Sequence, residues 1–149
     1  MTVSGTISAV LDHKGHDVWS ISPEATVYEA IKLMADKNVG AVPVMRDGKL
    51  LGMISERDYT RKVILQGKSS KQTAVKDIMS TTLITVTRAS TVEESMRLMT
   101  DHRVRHLPVV NQDAIVGIVS IGNLVNWVIS AQYAAIGHLE DYITGKYPG

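Results

Sequence analysis

From Val27 to Lys37 the apolar residues fall at Val27, Ala30, Ile31, Met34 and Ala35, the spacing that gathers them on one face of a helix. Thr26 stands just ahead and supplies a cap. The pattern then shortens. "AVPVM" and "LLGMIS" are apolar runs separated by "RDGK", which predicts two strands and a tight turn, because Asp47 and Gly48 accept the positive φ such turns need. Ahead of the helix, "VWSI" at 18–21 is rich in β-branched and aromatic residues and predicts a leading strand. A further helix is expected just after Ser55.

The same series recurs 65 residues later without a gap. Thr26 falls on Thr91, Val27 on Val92, Leu33 on Leu98, Met34 on Met99, Val39 on Val104, Pro43 on Pro108, Gly52 on Gly117 and Ser55 on Ser120. The second helix keeps Val92, Met96 and Met99 on one face, "LITV" repeats the leading strand, and "LPVVNQDAIVGIVS" repeats the hairpin. Its turn, Gln112 and Asp113, is chemically weaker. A period of this kind means a repeat architecture. Each copy reads β-α-β-β-α, and a unit of about fifty residues with three strands buries too little to stand alone. The expectation is therefore an α/β (α+β) fold in which two pseudo-symmetric units pack face to face around a shared core. The expected boundaries are an N-terminal segment at 1–17, unit one at 18–63, a connector at 64–82, unit two at 83–127 and a C-terminal helix at 128–149. Polar Gly, Ser and Lys residues mark the connector. The tail carries an apolar stripe through Trp127, Val128, Ile129, Tyr133, Ile136, Leu139 and Ile143, suited to packing or to a partner subunit.

Composition narrows the function. The 149 residues are 44% hydrophobic and 21% charged with a formal net charge of +1, which speaks against disorder and against the basic field of a nucleic-acid binder. Without Cys there is no disulfide or thiolate chemistry. No apolar run approaches the roughly 18 residues of a membrane span, and the first residues do not read as a secretion signal. A soluble, cytoplasmic protein is expected.

Several chemical candidates resolve into structure. His102 and His106 have the four-residue spacing of a metal pair on a helix, but Pro108 and the strand after it should end the helix near Arg103 and separate them. No metal is expected. Glu93 with Glu94, and Glu140 with Asp141, read as solvated faces rather than acid-base pairs. No Walker loop, dinucleotide fingerprint or nucleophile motif is present. Trp19 reads as core or as a stacking surface for a base.

"SERD" at 55–58 and "SIGN" at 120–123 occupy the same strand-to-helix turn in the two copies. A Ser followed three residues later by an acid or amide is a capping box or its near relative. A helix start also presents backbone donors to a polar ligand. With "VGAVPV" upstream, Gly52-Met-Ile-Ser55-x-x-Asp58, and "TAVKDIM" ahead of the second copy, the chain resembles the tandem CBS domain, or Bateman module, of the short stand-alone bacterial type. The resemblance implies a regulatory, non-catalytic module that binds an adenosine-containing ligand in two clefts between the repeats. AMP comes first among the candidates, followed by NAD(H), ADP and ATP, with S-adenosylmethionine also a ligand of the family. It further implies a homodimer. With no effector domain apparent, the signal should pass to a regulated partner protein.

Carried onto this sequence, the resemblance places Asp58 at the ribose, Ser55 at ribose or phosphate and Met53 beside the adenine. Met79, Ile84, Val104, Arg105 and His106 come from the other copy, and Arg57 joins Arg105 and His106 near phosphate. The second cleft would use Ile118, Ser120, Gly122 and Asn123 with Lys14, Trp19, Val39 and Gly40. Asn123 offers one neutral acceptor where Asp58 offers a charged pair, and Gly122 stands where Arg57 stands. The first cleft is thus expected to bind more strongly. The competing expectation is a dimeric structural or adaptor protein with vestigial clefts.

Overall fold

A computed structural model describes the backbone of residues 5–144 and the side chains of residues 5–132. Helix α1 (Ile7–Lys14) precedes the first unit, which comprises α2 (Val27–Lys37), β1 (Ala41–Arg46), β2 (Lys49–Ser55) and α3 (Glu56–Tyr59). The last continues into a π-helical turn, Thr60–Ile64. The second unit comprises α4 (Val92–His102), β3 (His106–Asn111), β4 (Ala114–Ser120) and the long α5 (Ile121–Thr144).

Both amphipathic helices begin where the sequence places them. Thr26 and Thr91 each accept from the third backbone N–H of their helix, while Glu29 and Glu94 accept from the cap's own N–H. Both end on a residue in the left-handed region, Asn38 or Arg103, so His102 and His106 lie on different elements. Each hairpin pairs antiparallel, with a bulge at the same place, after Val44 and after Val109. Asp47 and Gly48 both adopt positive φ, whereas Gln112 does so alone in the second turn.

The leading strands are shorter than expected. Only Ile21 and Val86 form parallel bridges, to Val44 and Val109. Ile21 donates to the Pro43 carbonyl and accepts from Met45, and Pro23, two residues later, has no N–H with which to extend the ladder. Each sheet is accordingly two-stranded with one bridged residue at its edge.

The first residues hold an element that the sequence reading left unassigned. Thr6 caps α1, and Ile7, Val10 and Leu11 are buried in the core of the second unit with Val92, Met99, Leu107, Val109, Val119 and Leu124. Its counterpart is a short 3-10 turn, Val75–Asp77, which packs Val75 and Ile78 into the core of the first unit. The backbone bonds match. Ile7 donates to Ser90 and Ser8 to Arg88, as Val75 donates to Ala25 and Lys76 to Pro23. Each repeat is therefore closed by the segment that precedes the other repeat, and the two units are interlocked. The side chains of Tyr133, Ile136, Leu139 and Ile143 lie outside the described residues. Among the described residues no helix is long and apolar enough to cross a membrane.

Candidate functional site

Interlocking the units leaves a cavity of about 370 Å³ at their boundary. One wall is the end of α1 and the chain after it: Lys14, Gly15, Asp17, Val18 and Trp19. Val39, Gly40 and Ala41 come from the turn into β1, and Ile118, Ser120 and Asn123 from the end of β4 and the start of α5. This is the second of the two expected clefts. Of its eight expected residues, seven line the cavity, and Gly122 does not.

The polar groups of this cavity are already ordered. Ser120 N–H donates to Asn123 Oδ1 at 2.8 Å, and Asn123 N–H donates to Ser120 Oγ at 3.1 Å, the reciprocal cap that the sequence suggests. Lys14 Nζ reaches across the boundary to donate to the Ile118 carbonyl at 2.8 Å. Burial lowers the Lys14 pKa below the usual lysine value, and the Asp17 carboxylate partly opposes that shift. A cation held this way gains from an anionic ligand, which replaces some of its lost hydration. Trp19 is 37% exposed, and Lys37 Nζ sits 4.2 Å from the centre of its ring. Trp19 is thus a rim residue fixed by a cation on one face rather than a core residue.

His106 also lines the cavity. It pairs with Ser120 in the β3–β4 ladder, which sets it beside the start of α5. A Cβ added at Gly40 would stand 3.3 Å from the imidazole and 3.4 Å from Glu56 Oε1, so a glycine at this point leaves room for both. Burial, and secondarily Arg105, lower the His106 pKa below the usual histidine range. At neutral pH the ring is uncharged and offers one donor and one acceptor.

The residues expected at the first cleft are arranged differently. Asp58 Oδ2 accepts from Ser55 N–H at 3.0 Å and from Ser55 Oγ at 3.1 Å, while Oδ1 pairs with Lys62 at 3.1 Å. The carboxylate is engaged on both oxygens. Lys62 lies four residues after Asp58, a helical spacing legible in the sequence but not used there. Arg57 Nη1 donates to the Arg103 carbonyl at 2.9 Å, tying α3 to the end of α4. Met53 bridges Ser80, next to Met79. Ile84 and Val104 pack on the second unit's core, and the Arg105 side chain is exposed. Of these nine residues, His106 alone lines the cavity at the unit boundary. A further cavity, about 430 Å³, lies within the first unit between α2 and Glu56. Among the described residues there is no cluster of metal-ligating side chains.

Two interlocked copies of one fold, with a cleft where they meet, define a class of tandem-repeat modules. A family model for the CBS domain matches residues 10–64 and again 75–130, and the chain belongs to that family. It is 44% identical over 154 residues to the mitochondrial CBS domain-containing protein CBSX3 of Arabidopsis thaliana, covering 97% of this chain and 74% of that one. Among solved structures it resembles a CBS-domain protein of Burkholderia ambifaria assigned to signal transduction, with a TM-score of 0.83 and 42% identity over 86% of this chain and 96% of that one. A CBS domain protein of Pyrobaculum aerophilum complexed with AMP matches at a TM-score of 0.71 and 27% identity over 80% of this chain and 89% of that one. CBS pairs of this kind are regulatory, signal-transduction proteins.

Proposed function

We propose that this CBS pair is a non-catalytic regulatory module that binds an adenosine-containing nucleotide between its repeats and transmits occupancy to a partner protein as a homodimer. The observation that carries the proposal is the cavity shared by both units, about 370 Å³, within the roughly 300–1,000 Å³ of small-molecule sites. The related protein that holds AMP supports adenine nucleotides as the ligand class. AMP is the first candidate, then ADP, ATP and NAD(H).

The structure and the residue chemistry favour different clefts. Asp58 is the better ribose acceptor in principle, but both its oxygens are bonded within its own helix start. Asn123 Oδ1 accepts from Ser120 N–H in the same kind of cap, but it carries no counterpart of the Lys62 ion pair, and Asn123 lines the cavity. We therefore assign first occupancy to the cleft of Lys14, Trp19, Ser120 and Asn123, with the Asp58 cleft filling only when Lys62 releases the carboxylate.

Binding to the folded state alone must stabilise it. At a hundredfold excess over Kd, AMP is expected to add about 2.7 kcal/mol and to raise Tm by roughly 5–10 °C for a chain of this size. Differential scanning fluorimetry reads this directly. If AMP, ADP, ATP, NAD and NADH all leave Tm unchanged, the proposal fails.

A further inference from the structure

Asp17 belongs to no motif, yet it places an acid on the wall that carries Lys14 and Trp19. Its carboxylate is exposed at the rim, and its one described interaction is electrostatic, with Lys14. The titratable groups lining the cavity are Lys14, Asp17 and His106. Lys14 has one of its three protons on the Ile118 carbonyl. Two further cations lie outside the lining: Lys37 stands over the Trp19 ring at the rim, and the Arg105 side chain is exposed. Glu56, on the far side of Gly40, adds a second acid near His106. The lining thus holds one ammonium against one carboxylate and contains no arginine fork of the sort that clamps polyphosphate.

We infer that this cleft selects adenosine ligands of low charge, the nucleoside or its monophosphate, over the triphosphate, and that Asp17 is the residue that enforces the choice. The inference rests on the nucleotide-binding reading of the same cavity. A single phosphate is matched by Lys14. Each further phosphate adds negative charge at a rim that already carries a carboxylate, and like charges held together there disfavour binding.

The test uses intrinsic fluorescence of Trp19, with Trp19→Phe as the control that the signal belongs to this cleft. Adenosine, AMP and ATP are titrated without divalent cations into the full chain and into Asp17→Asn and Asp17→Lys. In the native chain ATP is expected to bind at least about fivefold more weakly than AMP, and the ratio should shrink by about threefold in Asp17→Asn, magnitudes typical of exposed charge pairs. Asp17→Lys should reverse the order. Raising salt to about 0.5 M should narrow the native ratio, because exposed charges are screened. Equal affinity for AMP and ATP in the native chain, or a ratio that neither variant changes, overturns the assignment of Asp17. If none of the three compounds gives a signal or stabilises the chain, the nucleotide reading itself falls and this inference falls with it.

Discussion

Leu11→Ala is expected to destabilise the chain by about 3 kcal/mol, within the range of roughly 2–5 kcal/mol for emptying a buried leucine site, and to lower Tm by about 6–12 °C. Leu11 is fully buried although it precedes the first repeat, because α1 closes the second unit's core. The site has a built-in partner. A Cβ at Gly117 would come within 2.7 and 2.9 Å of the Leu11 methyl carbons, so Gly117→Ala alone forces a packed side chain to move and is also destabilising. In the double variant each change makes room for the other. The combined loss should fall short of the sum by at least about 0.5 kcal/mol, the coupling expected of residues in contact. Urea denaturation followed by far-UV circular dichroism of the four chains measures the coupling. Strict additivity would mean that α1 does not rest on β4 as described. The last turn of α1 ends at Lys14, so Leu11→Ala should also weaken AMP binding at temperatures where the chain remains folded.

Gly52→Ala should be costly for a different reason. At Gly52 the atom in the way is backbone: an added Cβ would lie 2.5 Å from the Ser80 carbonyl oxygen, which a rotamer change cannot relieve. Met53 and Ser80 exchange two backbone hydrogen bonds there, at 3.0 and 2.8 Å. Moving the Ser80 segment away costs both, and with the attendant repacking the expected loss is about 2–4 kcal/mol. The same segment presents the Ile78 carbonyl to Lys62, the partner of Asp58. Hydrogen exchange should therefore show faster opening of residues 75–80 in Gly52→Ala, with the α1 segment unchanged. Uniformly faster exchange through both units would contradict this local account. Gly52 and Gly117 coincide in the repeat, and each admits the segment that crosses over from the other copy.

The parts of this fold that are legible in sequence are those decided locally. The caps at Thr26 and Thr91 and the Asp47-Gly48 turn are signals a few residues long, and each is realised; Glu29 and Glu94, which complete the caps, carry a signal just as local that the sequence reading leaves unused. Helix α1 is not local in this sense. Its eight residues gain stability from a core more than seventy residues away, and no periodicity over so short a stretch announces that. The leading strands show the reverse. Their β-rich composition is real, but Pro23 and the edge position reduce the first to a single bridge.

The clefts divide along the same line. The repeat alignment finds the residues at the start of α5 and their neighbours from the first copy, because pseudo-symmetry carries them. It does not include Asp17, which lines the same cavity and has no role in the motif. It assigns His106 to the Asp58 cleft, and His106, the ladder partner of Ser120, also lines the other cavity. The ranking of the clefts by side-chain chemistry also leaves out Lys62, which pairs with Asp58 Oδ1.

In the function proposed above, an adenine nucleotide enters between the repeats at the cleft built by Lys14, Trp19 and Asn123. A crystal structure grown with AMP in large excess over Kd tests it most directly. Density is expected for one nucleotide in the cavity bounded by Trp19 and Ser120, with the Asp58–Lys62 pair intact at the lowest occupancies. AMP seen first or solely beside Asp58, or no nucleotide density between the repeats at saturating ligand, would contradict it.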